Sequence, residues 1–114
     1  MPNDTHLPLA PRDLLILAVL AEGPLHGYGI IKAVEARSES GVLLDPANLY
    51  RVLRRMRRLN WIQETADGED AGAQASPRRR TYEVAPQGRA LLAAELARLQ
   101  RLLRQVRPAV GGGA

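Results

Sequence analysis

The chain has 114 residues, 46% of them hydrophobic and 25% charged, and a formal net charge of +4. That is enough for one domain around one modest core, with the composition of a globular rather than a disordered chain. With no cysteine and only two histidines, His6 and His26, disulfides, zinc–thiolate sites and cysteine nucleophiles are excluded, and no histidine pair stands at metal-ligand spacing.

Residues 1–10 hold two prolines and no periodicity, and read as a loose arm. Pro11 suits the first turn of a helix, which is expected to run to about Glu22 and stop at the breaker pair Gly23-Pro24. Its stretch Leu14–Leu20 is apolar on every side, which in so small a chain implies that a partner subunit shares its burial. The apolar run Leu14–Ala21 is far below the ~18 residues that cross a bilayer. The N-terminus has no basic region followed by an apolar stretch, so no signal peptide is expected and the default compartment is the cytoplasm. A second helix is expected to start after Leu25-His26-Gly27 and run to about Ser38, followed by a loop at Ser38–Gly41.

The third helix has the clearest limits. Asp45 is a good N-cap, Pro46 a good first residue, and Asn60 can take the left-handed conformation that closes a helix. Leu49, Val52, Leu53, Met56 and Leu59 share one face at ~100° per residue. Arg51, Arg54 and Arg58 therefore point away from the core, with Tyr50 and Arg57 on one flank and Asn48 and Arg55 on the other. Segment 46–60 carries five arginines and no acid, whereas 61–77 holds four acids and no base. An ordinary exposed helix mixes signs to gain i,i+4 pairs; like charges repel unless a polyanion removes the penalty.

Trp61–Thr65 and Arg80–Val84 read as the two strands of a hairpin, joined by a long polar loop from Asp67 to Pro77. Pro86 opens a last helix to about Val106, in which Leu92, Leu96, Leu99, Leu103 and Val106 recur at spacings of 4 and 3, the seam of a two-helix contact, with Leu91 and Leu102 widening it. Self-association through this seam, with Leu15 and Val19 of the first helix, covers it. The tail beyond 107 is expected to fray.

The fold class is thus α+β and mostly α: a winged helix-turn-helix of three helices and a two-stranded wing over 11–85, preceded by the arm 1–10, and followed by a dimerisation helix over 86–107 and a tail over 108–114. A second helix, a short connection and an arginine-faced third helix is the order in which a helix enters the major groove. Four segments together resemble the PadR-type transcriptional regulators: Leu15–Tyr28 with its His26-Gly27-Tyr28 turn, Leu49-Tyr50-Arg51-Val52-Leu53, Pro77–Tyr82 with Arg78-Arg79-Arg80, and Gly88-Arg89. The resemblance covers roughly residues 12–105. It implies a dimeric bacterial repressor that pairs through its C-terminal helix and releases operator DNA on binding a small molecule; a single such helix is similar to the shorter branch of the family. Four features depart from the pattern. Gly29 stands where an acid is frequent, Ala85-Pro86 replaces a threonine cap, the wing tip is long and acidic (Asp67, Glu69, Asp70) and so unsuited to touch phosphate, and the last helix has no aromatic to build a drug-stacking pore.

On this reading Asn48, Tyr50, Arg51 and Arg54 meet bases, since arginine grips guanine bidentately. Arg55 and Arg58 meet phosphates or solvent, Arg78, Arg79 and Arg80 meet phosphates, and the Tyr28 hydroxyl reaches a phosphate at the start of the second helix. His26 reads as a helix cap. Trp61 reads first as core or interface packing and second as a platform for a planar effector. The partners are double-stranded DNA, a second copy of the chain and a small-molecule effector of unknown identity, with no membrane, cofactor or metal. The sequence shows no P-loop and no acid–base or nucleophile constellation, so it does not read as an enzyme. The alternative is a winged-helix adaptor whose basic face meets an acidic protein and has no specific DNA site.

Overall fold

The computed structural model describes residues 6–65 and 80–111. Helix α1 (Pro11–Ala21) begins at proline, which needs no intrahelical donor at that position. Ile16, Leu17, Val19 and Leu20 are buried on it. Most of its apolar ring is covered by its own chain, because α1 packs against α2 (Gly27–Arg37), β3 (Thr81–Val84) and the last helix, α4 (Pro86–Val106). Leu14, Leu15 and Ala18 remain half-buried, so the share expected of a partner is smaller than the sequence suggested.

Before α2 lies a short strand, β1 (Leu25–His26), which the sequence did not reveal because two residues are too few to show a period. It makes the sheet three-stranded, in order β1-β3-β2, rather than a two-stranded wing. Both pairings are antiparallel: β1 sets Leu25 opposite Tyr82 and His26 opposite Thr81, and β2 (Ile62–Glu64) sets Ile62 opposite Val84 and Glu64 opposite Tyr82. His26 then caps α2, its Nδ1 accepting the Gly29 N–H at 3.1 Å, as read from sequence.

Helix α3 (Pro46–Arg58) follows a turn in which Glu39 and Ser40 take positive φ and the Ser38 hydroxyl accepts the Val42 N–H. Helix α4 keeps the expected limits and continues into a short 3-10 turn, Arg107–Val110. Its first half completes the core with Leu91 and Leu92, whereas residues 101–111 are all exposed.

Residues 6–10, read from sequence as part of a loose arm, lie against the body. Leu9 is buried, and its N–H donates to Glu95 Oε2 at 2.8 Å. Glu95 is itself buried on α4 and also accepts from Arg98 Nε at 2.5 Å and Nη2 at 3.0 Å, so each of its oxygens is satisfied. The remainder of the arm (1–5), the hairpin loop Asp67–Pro77 and the end of the tail (112–114) lie outside the described residues.

Candidate nucleic-acid interface

The surface that the charge pattern singled out is built on α3. Asp45 Oδ1 accepts the Asn48 N–H at 2.9 Å and Asp45 Oδ2 accepts from Asn48 Nδ2 at 3.0 Å, which closes the first turn and ties down the Asn48 side chain. Leu49, Val52, Leu53 and Met56 are buried, so the opposite face is fixed by helical geometry. Arg51, Arg54 and Arg58 are exposed there, and among the described residues no carboxylate lies within ion-pair distance of any of them. At the other end Asn60 takes φ 64°, the left-handed closure expected of it.

The flanks of α3 behave differently. Arg55 forms an ion pair with Asp13 of α1, and its guanidinium lies 5.6 Å from the centroid of the Trp61 ring. Asp13 is buried and is also within 3.3 Å of Arg12 Nε. On the far flank, Arg57 Nη1 and Arg80 Nη1 both approach Glu64 Oε1 at 3.4 Å. That oxygen is buried without a hydrogen bond, so the two guanidinium groups compensate it by charge. Burial pushes the phenol of neighbouring Tyr82 above its ordinary range, and Glu64 adds to the effect.

These contacts correct two expectations. Arg55 still faces solvent along one cleft but is ion-paired with Asp13, and Arg80 is ion-paired with Glu64; the reason in both cases is a carboxylate on another element that periodicity cannot see. Arg78 and Arg79 lie outside the described residues. Tyr28 is exposed, with Lys32 Nζ 5.7 Å from its ring centroid. Tyr50 is half-buried against the start of α2, where a Cβ on Gly27 would stand 2.8 Å from its hydroxyl oxygen. A side chain at 27 would therefore have to displace the Tyr50 ring end. Trp61 is only 3% exposed, with the His6 ring edge-on at 5.3 Å and Arg55 above it. The effector-stacking role considered for it is withdrawn, and core packing, the first reading, is what the structure supports.

Two clefts flank the arginine face. One, of about 370 Å³, is lined by Arg12, Asn48, Arg51, Val52, Arg55 and Arg58. A smaller one between α3 and the sheet is lined by Tyr50, Leu53, Arg54, Arg57, Arg80 and Tyr82. Arg12, Arg57 and Tyr82 were not among the residues singled out from sequence. The flank position of Arg57 was a usable signal; for Arg12, on a different helix, there was none.

The leucine seam divides in two. Val19 (2% exposed) and Leu92 (8%) are buried within their own chain, so they cannot form a surface for a partner, a correction to the expected interface. Leu15 and Leu99 are half-buried, and Leu96 (48%), Leu103 (52%), Leu102 and Val106 are exposed.

The model of a family described as transcriptional regulator PadR-like matches residues 16–94. An uncharacterised 37.1 kDa protein of a Streptomyces fradiae transposon is 37% identical over 90 residues, which cover 79% of this chain and 23% of that protein. The chain thus spans less than a quarter of the length of this curated relative. Among solved structures, a PadR family transcription regulator from a hypervirulent Clostridium difficile strain is similar with a TM-score of 0.67 at 25% identity, covering 90% of this chain and 100% of that one. A PadR-like transcriptional regulator from Bacillus cereus shares the fold with a TM-score of 0.68 at 18% identity, covering 88% and 91%.

Proposed function

This chain belongs to the PadR-like family of transcriptional regulators, and from that premise we propose that it is a dimeric repressor that binds a pseudo-palindromic operator in the cytoplasm. The observation that carries the reading is the face of α3, where Arg51, Arg54 and Arg58 stand exposed on a capped, core-anchored helix with no carboxylate partner among the described residues. A helix so presented suits the major groove, where guanidinium groups meet guanine edges and phosphates. Asn48, Arg51 and Arg54 near its N-terminal half read bases, and Arg58 contacts backbone. Tyr28, exposed at the start of α2, adds a phosphate contact, as do Arg78 and Arg79. Tyr50, packed beside Gly27, lines the edge of the interface next to Arg54.

Pairing uses the exposed part of the seam: Leu96, Leu99, Leu103 and Val106, widened by Leu102, with half-buried Leu15 at its edge. Two such subunits present their reading helices to successive major grooves about 34 Å apart. A small molecule that prefers one spacing of the two heads relieves repression through that difference in affinity.

Footprinting across the gene's own upstream region tests the reading. Two protected half-sites related by dyad symmetry are expected. Equal affinity for random duplex at physiological salt would overturn it. Reversing charge at Arg51 and Arg54 is expected to abolish promoter occupancy; loss of a protein complex with occupancy intact would favour an adaptor instead.

A further inference from the structure

The five arginines of α3 are separated into two sets by carboxylates from outside the helix. Arg55 and Arg57, one on each flank, are held by Asp13 of α1 and Glu64 of β2 respectively, and Arg51, Arg54 and Arg58 between them are unpaired among the described residues. Arg55 follows Arg51 by four residues and precedes Arg58 by three, so the three are surface neighbours and line one cleft. Asp13 pairs the Arg55 guanidinium at the edge of that strip, so without Asp13 its charge would be free to meet a phosphate.

We propose that Asp13 and Glu64 are positioning residues that limit sequence-independent DNA binding: by pairing with Arg55 and Arg57 they confine the uncompensated charge of α3 to Arg51, Arg54 and Arg58. The proposal rests on the reading of α3 as the DNA-contacting helix. Every additional phosphate contact strengthens binding to all sequences alike, so pairing these arginines sets the sequence-independent affinity and its salt dependence. The carboxylates are suited to resist a competing phosphate. The Asp13 side chain is 7% exposed and that of Glu64 16%, so pulling Arg55 or Arg57 away would leave a poorly solvated negative charge with one of its two cationic partners. Asp13 in addition holds Arg12, and Glu64 holds Arg80, so each carboxylate restrains two bases at the rim of the interface.

The test compares the full chain with Asp13→Asn and Glu64→Gln, which keep shape and remove charge. Binding to a footprinted upstream duplex and to a scrambled duplex of equal length is followed by fluorescence anisotropy between about 50 and 200 mM salt. In Asp13→Asn the slope of log affinity on log salt is expected to steepen by about 0.9 per protomer, about 1.8 for a dimer, so that a fourfold rise in salt costs about 12-fold more affinity than in the parent. Affinity of the dimer for the scrambled duplex is expected to rise about 30-fold at physiological salt by the same counterion-release relation. Arg55→Gln should leave the slope unchanged, whereas Arg51→Gln should flatten it by about 0.9 per protomer.

A folded Asp13→Asn protein with the parent's slope and scrambled-duplex affinity overturns the proposal. So does flattening by Arg55→Gln, which would mean that Arg55 already meets phosphate. If Asp13→Asn does not fold, Arg55→Gln and Glu64→Gln decide, and a parental slope in folded Glu64→Gln counts against the proposal. Failure of the underlying reading looks different: the parent then shows no salt-dependent duplex binding, or Arg51→Gln does not alter its slope.

Discussion

A Cβ at Gly88 would stand 2.0 Å from the carbonyl oxygen of Trp61, a backbone atom that cannot swing away as a side chain could. Gly88→Ala is therefore expected to destabilise the fold by roughly 1–3 kcal/mol, the range for forced overpacking, measured by chemical denaturation; an unchanged midpoint would contradict the contact. The sequence offered Gly88-Arg89 only as a family-like pair, since nothing in it shows which backbone atom lies opposite. Glu95 makes the same point with charge. Hydrogen bonds from Arg98 hold its carboxyl below the usual range, burial opposes this, and the Leu9 N–H assists it. A depressed folded value means that the ionised form stabilises the fold above the ordinary glutamate value of about 4.3, and that this contribution is lost as pH falls through the folded value. The thermal midpoint of the parent is expected to drop on acidification through this window more than that of Glu95→Gln. Parallel midpoint-versus-pH curves would refute the role.

Helices α3 and α4 were legible as elements because capping and periodicity are local. Asp45, Pro46 and Asn60 delimit α3 in the structure as they do in the sequence, and Asp45→Ala is expected to cost about 1 kcal/mol of stability, read from the unfolding transition. In α4 the periodic leucines looked alike in sequence and are not alike in the fold. Leu91 is fully buried, so Leu91→Ala should destabilise by roughly 2–5 kcal/mol. Leu96 and Leu103 are about half exposed, so Leu96→Glu with Leu103→Glu should leave helix content intact while sedimentation shifts from dimer to monomer. A folded double variant that stays dimeric would place the partner surface elsewhere. The two-residue strand β1 escaped notice because its pairing with β3 joins segments more than fifty residues apart, and no local pattern records that.

For the molecule as a whole, the first half of α4 belongs to the body and the second half does not. Leu91, Leu92 and Glu95 close the core over α1 and anchor residue 9, whereas every residue from 101 to 111 is exposed. A chain ending before Pro86 is expected not to fold. One ending after Arg101 keeps these contacts and the Glu95–Arg98 pair, and is expected to fold as a monomer with weakened operator binding. Circular dichroism and sedimentation distinguish the two, and a stable dimer from the longer truncation would remove the exposed half of α4 from the interface.

The amino-acid order alone determined where the helices start and stop, which side of α3 faces inward, and that its other side is strongly cationic, because these follow from caps and a 3.6-residue period over neighbouring positions. Only the tertiary structure decided which cations remain available and which leucines remain uncovered. Asp13 is 42 residues from Arg55, and α1 packs against α4 of its own chain. Ion pairing and burial depend on what folds alongside a side chain, and distance along the chain does not carry that information.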